Sequence, residues 1–115
     1  MAHPSFRQQG KELLALAREE YSKGITSRAS WFGWEAALMM VKAVADSRGL
    51  EHADSRAVYS AVGRFSNEAQ DQRLRQLFSS AGVLRSNYYD NFLDIFDVGA
   101  YLENVSEFVD KMDAL

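Results

Sequence analysis

The octapeptide LRSNYYDN, residues 84–91, places an arginine, two asparagines, two tyrosines and an aspartate within eight positions. Together these side chains can hold a nucleotide or a short RNA. Arg85 would grip a phosphate, Tyr89 would stack on a base, and Asn87 or Asn91 would meet a base edge. On a regular helix Arg85 and Tyr89 share one face, while Asn87, Asp90, Asn91 and Asp94 lie on another. Arg85, Asn87, Tyr88, Tyr89 and Asn91 are thus the candidate ligand-binding residues. The same residue types equally suit a dimer interface or a hydrogen-bonded core network. A catalytic reading would rest on Arg85 and Asp90, and a carboxylate with an ordinary pKa is a weak acid near neutral pH.

Other groupings carry less chemistry. Asp90, Asp94 and Asp97 are spaced i, i+4, i+7, a row that could hold Mg²⁺ on one continuous helix. Asp97, however, reads as the N-cap of the next helix, which takes it out of register. No Glu-x-x-His pair is present, so neither a metal nor a cofactor is expected. Trp31 and Trp34 could sandwich a planar ligand, but such pairs more often fill a small core. Glu35 beside them could pair with an arginine of another helix. His3 lies near the terminus and His52 in the loop SRGLEHADS, where a plain surface histidine is the ordinary explanation. There is no Gly-rich phosphate loop and no Gly-x-Ser-x-Gly turn.

The elements that would position these residues follow from apolar spacing. A first helix is expected from Ser5, its N-cap, to Lys23, closed by Gly24, with Phe6, Gly10, Leu13, Leu14, Ala17 and Tyr21 as its stripe. A second opens near Ser27 and runs to Arg48, stopped by Gly49. Its two apolar seams, one through Trp31, Trp34, Leu38 and Val41 and one through Phe32, Ala36 and Met39, place it at the centre of a bundle. A shorter helix is expected from about Ser55 to Phe65. A long one should follow from about Ala69 to Phe92, with Leu74, Leu77, Ala81, Leu84, Tyr88 and Phe92 as its seam. The last should begin near Asp97 and carry Val98, Leu102, Val105, Val109 and Met112. The spacing predicts an all-α, up-and-down antiparallel bundle of four main helices and one shorter helix, one domain over residues 1–115.

Composition limits the function classes. The chain has 115 residues, 47% of them hydrophobic, one proline and no cysteine, so thiol chemistry and Cys-ligated metals are excluded. The longest strongly apolar run, Ala36 to Val41, is far short of the roughly 20 residues of a membrane span. The start MAHPSFRQQG lacks the layout of a signal peptide. A cytoplasmic location without membrane contact is the resulting expectation. Net charge is −3, but 12 of the 13 basic residues precede position 86, and seven of the 16 acidic ones follow it. An acidic last helix repels phosphate backbones. DNA is not an expected partner, and any RNA should approach over Arg64, Arg73, Arg75 and Arg85.

Three stretches, GKELLALAREEYSKG, WFGWEAALMMVKAVADSRG and AGVLRSNYYDNF, give the chain a family likeness. It resembles the HEPN domains (higher eukaryotes and prokaryotes nucleotide-binding), in particular the small archaeal and bacterial PaREP-type branch. The resemblance implies a helical bundle and a two-fold homodimer. In ribonuclease members of that family an Arg–x4–6–His element from two protomers forms a composite, metal-independent site. Here Arg85 takes the arginine place, but Asp90, Asn91 and Phe92 stand at x4, x5 and x6, and none is histidine. The resemblance also implies, as a partner, a nucleotidyltransferase encoded alongside.

The leading expectation is therefore a non-catalytic binding or interaction module. It would be a homodimer built on the 69–92 helix, with a groove near Arg85 and Tyr89 for a nucleotide, an RNA or a protein partner. The alternatives are a degenerate, toxin-like ribonuclease using Arg85 and Asp90, as in toxin–antitoxin pairs, and a purely structural dimer.

Overall fold

The computed structural model describes residues 5–115. Among them are five helices and no strand: α1 (Phe6–Ser22), α2 (Thr26–Ser47), α3 (Ser55–Ala69), α4 (Arg73–Asp90) and α5 (Ile95–Asp113). With 15 residues, α3 is the shortest. α2 packs against all four others, α1 rests on α2 and α5, and α3 touches only α2 and α4. Short connections at 23–25 and 91–94 turn α1 back along α2 and α4 back along α5, which is the up-and-down arrangement of the expected bundle.

The helix ends have local chemical causes. Ser5 caps α1, its side-chain oxygen accepting from the Gln8 N–H at 3.1 Å. Gly24 and Gly49, at φ +75° and +67°, let the chain leave α1 and α2 in the left-handed conformation that other residues resist. Asp54 caps α3 by accepting from the Ala57 N–H at 2.8 Å.

The later helix boundaries differ from the sequence expectation. α3 continues to Ala69, and α4 begins only at Arg73. Ser66, Asn67 and Glu68, which fall between the two expected helices, belong to α3. Ser66 is fully buried, and its hydroxyl donates to the Asp71 carbonyl at 2.7 Å, pinning the turn beyond the helix. Gln70 takes the left-handed conformation there, at φ 53°. Further on, α5 starts at Ile95 rather than at Asp97. Its N-cap is Asp94, which accepts from the Asp97 N–H at 2.8 Å, so the expected capping residue is instead the one being capped.

One core runs through all five helices. Met40, Val41 and Val44 of α2 meet Phe65 of α3, Leu74, Leu77, Phe78 and Leu84 of α4, and Val98, Val105, Phe108 and Met112 of α5. The α5 seam is buried as its spacing requires. The α4 seam is buried only as far as Leu84: Tyr88 and Phe92 are exposed, and Asn87 occupies the core position in their place.

Candidate functional site

α4 ends at Asp90 because Asn91 adopts the left-handed conformation, φ 49°, which asparagine tolerates better than most side chains. Asn87 organises this end. It is fully buried, its Nδ2 donates to Ser30 Oγ on α2 at 2.9 Å, and its Oδ1 accepts from the Leu93 N–H at 2.7 Å. Its carbonyl accepts from the Asn91 N–H at 2.8 Å. Ser30 passes the chain on, donating to the Thr26 carbonyl at 2.7 Å. Asn87 thus ties α2, α4 and the connection to α5 together, and its side chain points away from solvent.

The other candidates face outward. Trp31 of α2 packs on Tyr88 with ring centroids 4.8 Å apart, and Tyr89 meets both rings edge-on, at 6.3 Å from Trp31 and 5.1 Å from Tyr88. The Arg85 guanidinium lies 5.7 Å from the Trp34 ring and 5.7 Å from the Tyr89 ring. Its charge therefore rests on two aromatic faces, and it makes no ion pair among the described residues. Asp90 and Asn91 are exposed. The polar cluster expected around Asn87, Asp90, Asn91 and Asp94 does not form, because the helix stops before Asn91 and Asn87 is turned inward.

Spacing alone does not reveal the apolar surface that continues from this ring cluster. Tyr89 is 63% exposed, Phe92 57% and Phe96 80%, with Ile95 also open to solvent. Phe92 lies just beyond the Asn91 turn, and Ile95 and Phe96 form the first turn of α5. Read as the end of a regular seam, Phe92 belonged in the core. Only the helix break turns it out.

The tryptophans divide between core and surface. Trp34 is buried against Phe78, at 5.6 Å, while Trp31 is half-buried under the tyrosines. Glu35 makes no ion pair among the described residues, and burial pushes its carboxyl above the ordinary 4.5, with Lys42 pulling the other way. His52 is more enclosed than a plain surface residue: its ring meets Phe6 edge-on at 5.5 Å, and Nε2 lies 3.5 Å from Asp46 Oδ1. Lys42 Nζ donates to its carbonyl at 2.9 Å. His3 lies outside the described residues. Among the described residues no group of three His, Asp or Glu side chains could hold a metal ion, and no helix is long and apolar enough to cross a membrane.

Three charged side chains of α5 are bridged to the rest of the fold. Asp113 pairs with Arg7 at 2.8 Å and Lys11 at 2.7 Å, Lys111 pairs with Asp71 at 2.7 Å, and Glu107 receives Arg73. Of the arginines expected to meet RNA, Arg73 is thus engaged by Glu107, and Arg64 pairs with Glu68 at 3.0 Å.

No curated protein matches the chain. Its structure is similar to the crystal structure of a protein from Sulfolobus solfataricus, with a TM-score of 0.83 over 92% of this chain and 94% of that one, at 18% identity. A likeness at that identity speaks for the fold. The sequence model of the archaeal PaREP1/PaREP8 family matches residues 7–109, from the first turn of α1 to the last turn of α5. The chain belongs to the archaeal PaREP1/PaREP8 family.

Proposed function

We propose that the protein is a non-catalytic association module that forms a homodimer through the aromatic end built by Trp31, Tyr88, Tyr89, Phe92 and Phe96. The supporting observation is the exposure of Phe92 and Phe96, 57% and 80%, beside the ring cluster that Arg85 borders. Leaving a side chain of that size in water forgoes roughly 1.5–3 kcal/mol that burial would supply. Aromatic residues and arginine are also the types enriched where protein interfaces bind most strongly. A catalytic role finds less support. Arg85 spends its charge on rings, Asp90 stands in solvent without a base beside it, and His52 contacts Phe6 and Asp46 rather than any residue of 84–91.

Sedimentation equilibrium of the full chain tests this reading. The wild type should fit a two-fold dimer, and Phe96→Asp should fit a monomer with unchanged helicity by circular dichroism. A wild type that stays monomeric at high micromolar concentration overturns it.

A further inference from the structure

A shallow, open cavity of about 660 Å³ lies along α3 beside Arg75 of α4, lined by Arg56, Tyr59, Gly63, Arg64, Glu68 and Arg75 among others. Its charge is strongly one-sided. Glu68 is its acidic side chain, and that carboxylate is already divided between Arg64, at 3.0 Å, and Arg48, at 2.7 Å. Arg56 makes no hydrogen bond or ion pair among the described residues.

Arg75 is fixed in place without being neutralised. Its guanidinium donates to Ser66 Oγ at 3.3 Å, Asn67 Oδ1 at 3.2 Å, Gln72 Oε1 at 2.9 Å and the Gly63 carbonyl at 3.2 Å. All four acceptors are uncharged. They orient the group and leave its full positive charge facing the cavity. Gly63 makes that seat available: a Cβ there would lie 3.1 Å from Arg75 Nη2. Glycine within a helix is less favourable than alanine, so α3 gives up helix stability at a point where the guanidinium approaches its backbone. Tyr59, half exposed, forms one wall, and its ring is held edge-on against Phe78 at 5.0 Å.

We propose that the cavity along α3 beside Arg75 binds a small molecule through a phosphate or pyrophosphate group, clasped by Arg56 and Arg75, with the Glu68-paired Arg64 at its rim and the Tyr59 ring as a wall. Guanidinium groups match the oxygens of a phosphate in bidentate fashion. This site is separate from the aromatic end and does not depend on dimer formation.

Isothermal titration calorimetry on the full chain, with inorganic pyrophosphate and with adenosine diphosphate as probes, tests the assignment. At least one probe should bind saturably, one per chain. Arg56→Gln should weaken it about tenfold or more, the loss expected for one charge-assisted hydrogen bond. Arg56 makes no hydrogen bond or ion pair among the described residues, so its loss should leave the fold intact, as circular dichroism would check. Gly63→Ala should also weaken binding by displacing Arg75, although alanine favours the helix. Lys23→Gln, far from the cavity at the end of α1, should leave binding unchanged. Tighter binding of adenosine diphosphate that Tyr59→Ala erases assigns the phosphate to a ring-bearing molecule; equal binding of the two probes assigns it to a free oligophosphate. No saturable binding of either probe overturns the proposal, as does binding that both Arg56→Gln and Gly63→Ala leave intact. A short single-stranded RNA that binds while pyrophosphate neither binds nor competes overturns it too.

Discussion

The Asn87 side chain donates to Ser30 Oγ across the α2–α4 contact at 2.9 Å, with both residues fully buried. The bond crosses an otherwise apolar region, and the second half of the same amide holds the Leu93 N–H. Removing Asn87 leaves the Leu93 N–H without its partner and costs the Ser30 hydroxyl one bond, while its bond to the Thr26 carbonyl stays.

Asn87→Leu should therefore lower stability by about 1–3 kcal/mol, the rough cost of a buried polar group left unpaired, here the Leu93 N–H. Ser30→Ala should cost less, about 1 kcal/mol, because the Asn87 oxygen keeps its bond to Leu93. Thermal melts check both, at roughly 4 °C per kcal/mol for a chain of this size. Equal melting temperatures for the Asn87→Leu variant and the wild type would refute the tie.

Gly33 is a second point where the bundle closes tightly. A Cβ there would lie 2.8 Å from Leu102 Cδ2 and 2.9 Å from Leu84 Cδ1, both buried. Overpacking a filled core costs about 1–3 kcal/mol, against roughly 1 kcal/mol gained from alanine's helix preference. Gly33→Ala should lower the melting temperature by a few degrees. Gly63→Ala, which meets only the far end of the exposed Arg75, should hold or raise it.

Why the helices were legible and the site was not is shown by single residues. The three-and-four rhythm from Val98 to Met112 has one physical solution, a helix buried along that stripe, and all five of its positions are buried. The rhythm through Tyr88 and Phe92 looks the same in one dimension. What breaks it is the left-handed Asn91 and the bond from the Leu93 N–H to Asn87, a contact set by the return of the chain. Ser66 misleads for a related reason: polar type suggested a loop, while burial and a bond to the Asp71 carbonyl make it a helical residue. The arginine cavity depends on α3 lying beside α4, a pairing that spacing within either helix does not encode.

Acid should weaken the bridges that fasten α5. Lys111 beside Asp71, Arg73 beside Glu107, and Lys11 and Arg7 beside Asp113 hold these carboxyls below their ordinary values of 3.8, 4.5 and 3.8. A carboxyl depressed in the folded state contributes stability that is fully present above its unfolded value and lost as pH falls through the folded one. Melting temperature should thus decline as pH falls below about 5, more steeply than in an Asp71→Asn, Asp113→Asn variant. All three groups are solvated, so the effect should be modest and should shrink in salt.

Glu35 should behave in the opposite sense. Burial raises its carboxyl above 4.5, so the folded state binds the proton more tightly than the unfolded chain does. The ionised form carries a cost that appears as pH rises through the folded value. Glu35→Gln should melt higher than the wild type at neutral pH, and the difference should vanish below about pH 4. A variant that melts lower at neutral pH would show that Lys42 outweighs burial.

Salt should strengthen self-association while it weakens phosphate binding at the arginine cavity. The aromatic end is apolar, and in residues 84–97 the charged side chains are Arg85 against Asp90, Asp94 and Asp97. A two-fold dimer sets that same surface against itself, so each copy brings a net negative rim to the other. Screening length falls from about 10 Å at 0.1 M salt to about 3 Å at 1 M, which relieves the repulsion and leaves the burial of Phe92 and Phe96 unaffected. The dimer dissociation constant from sedimentation should therefore drop as sodium chloride rises, and Asp94→Asn should lower it at low salt. A dissociation constant that climbs with salt would mean that Arg85 pairing with a carboxylate, rather than the rings, holds the copies together.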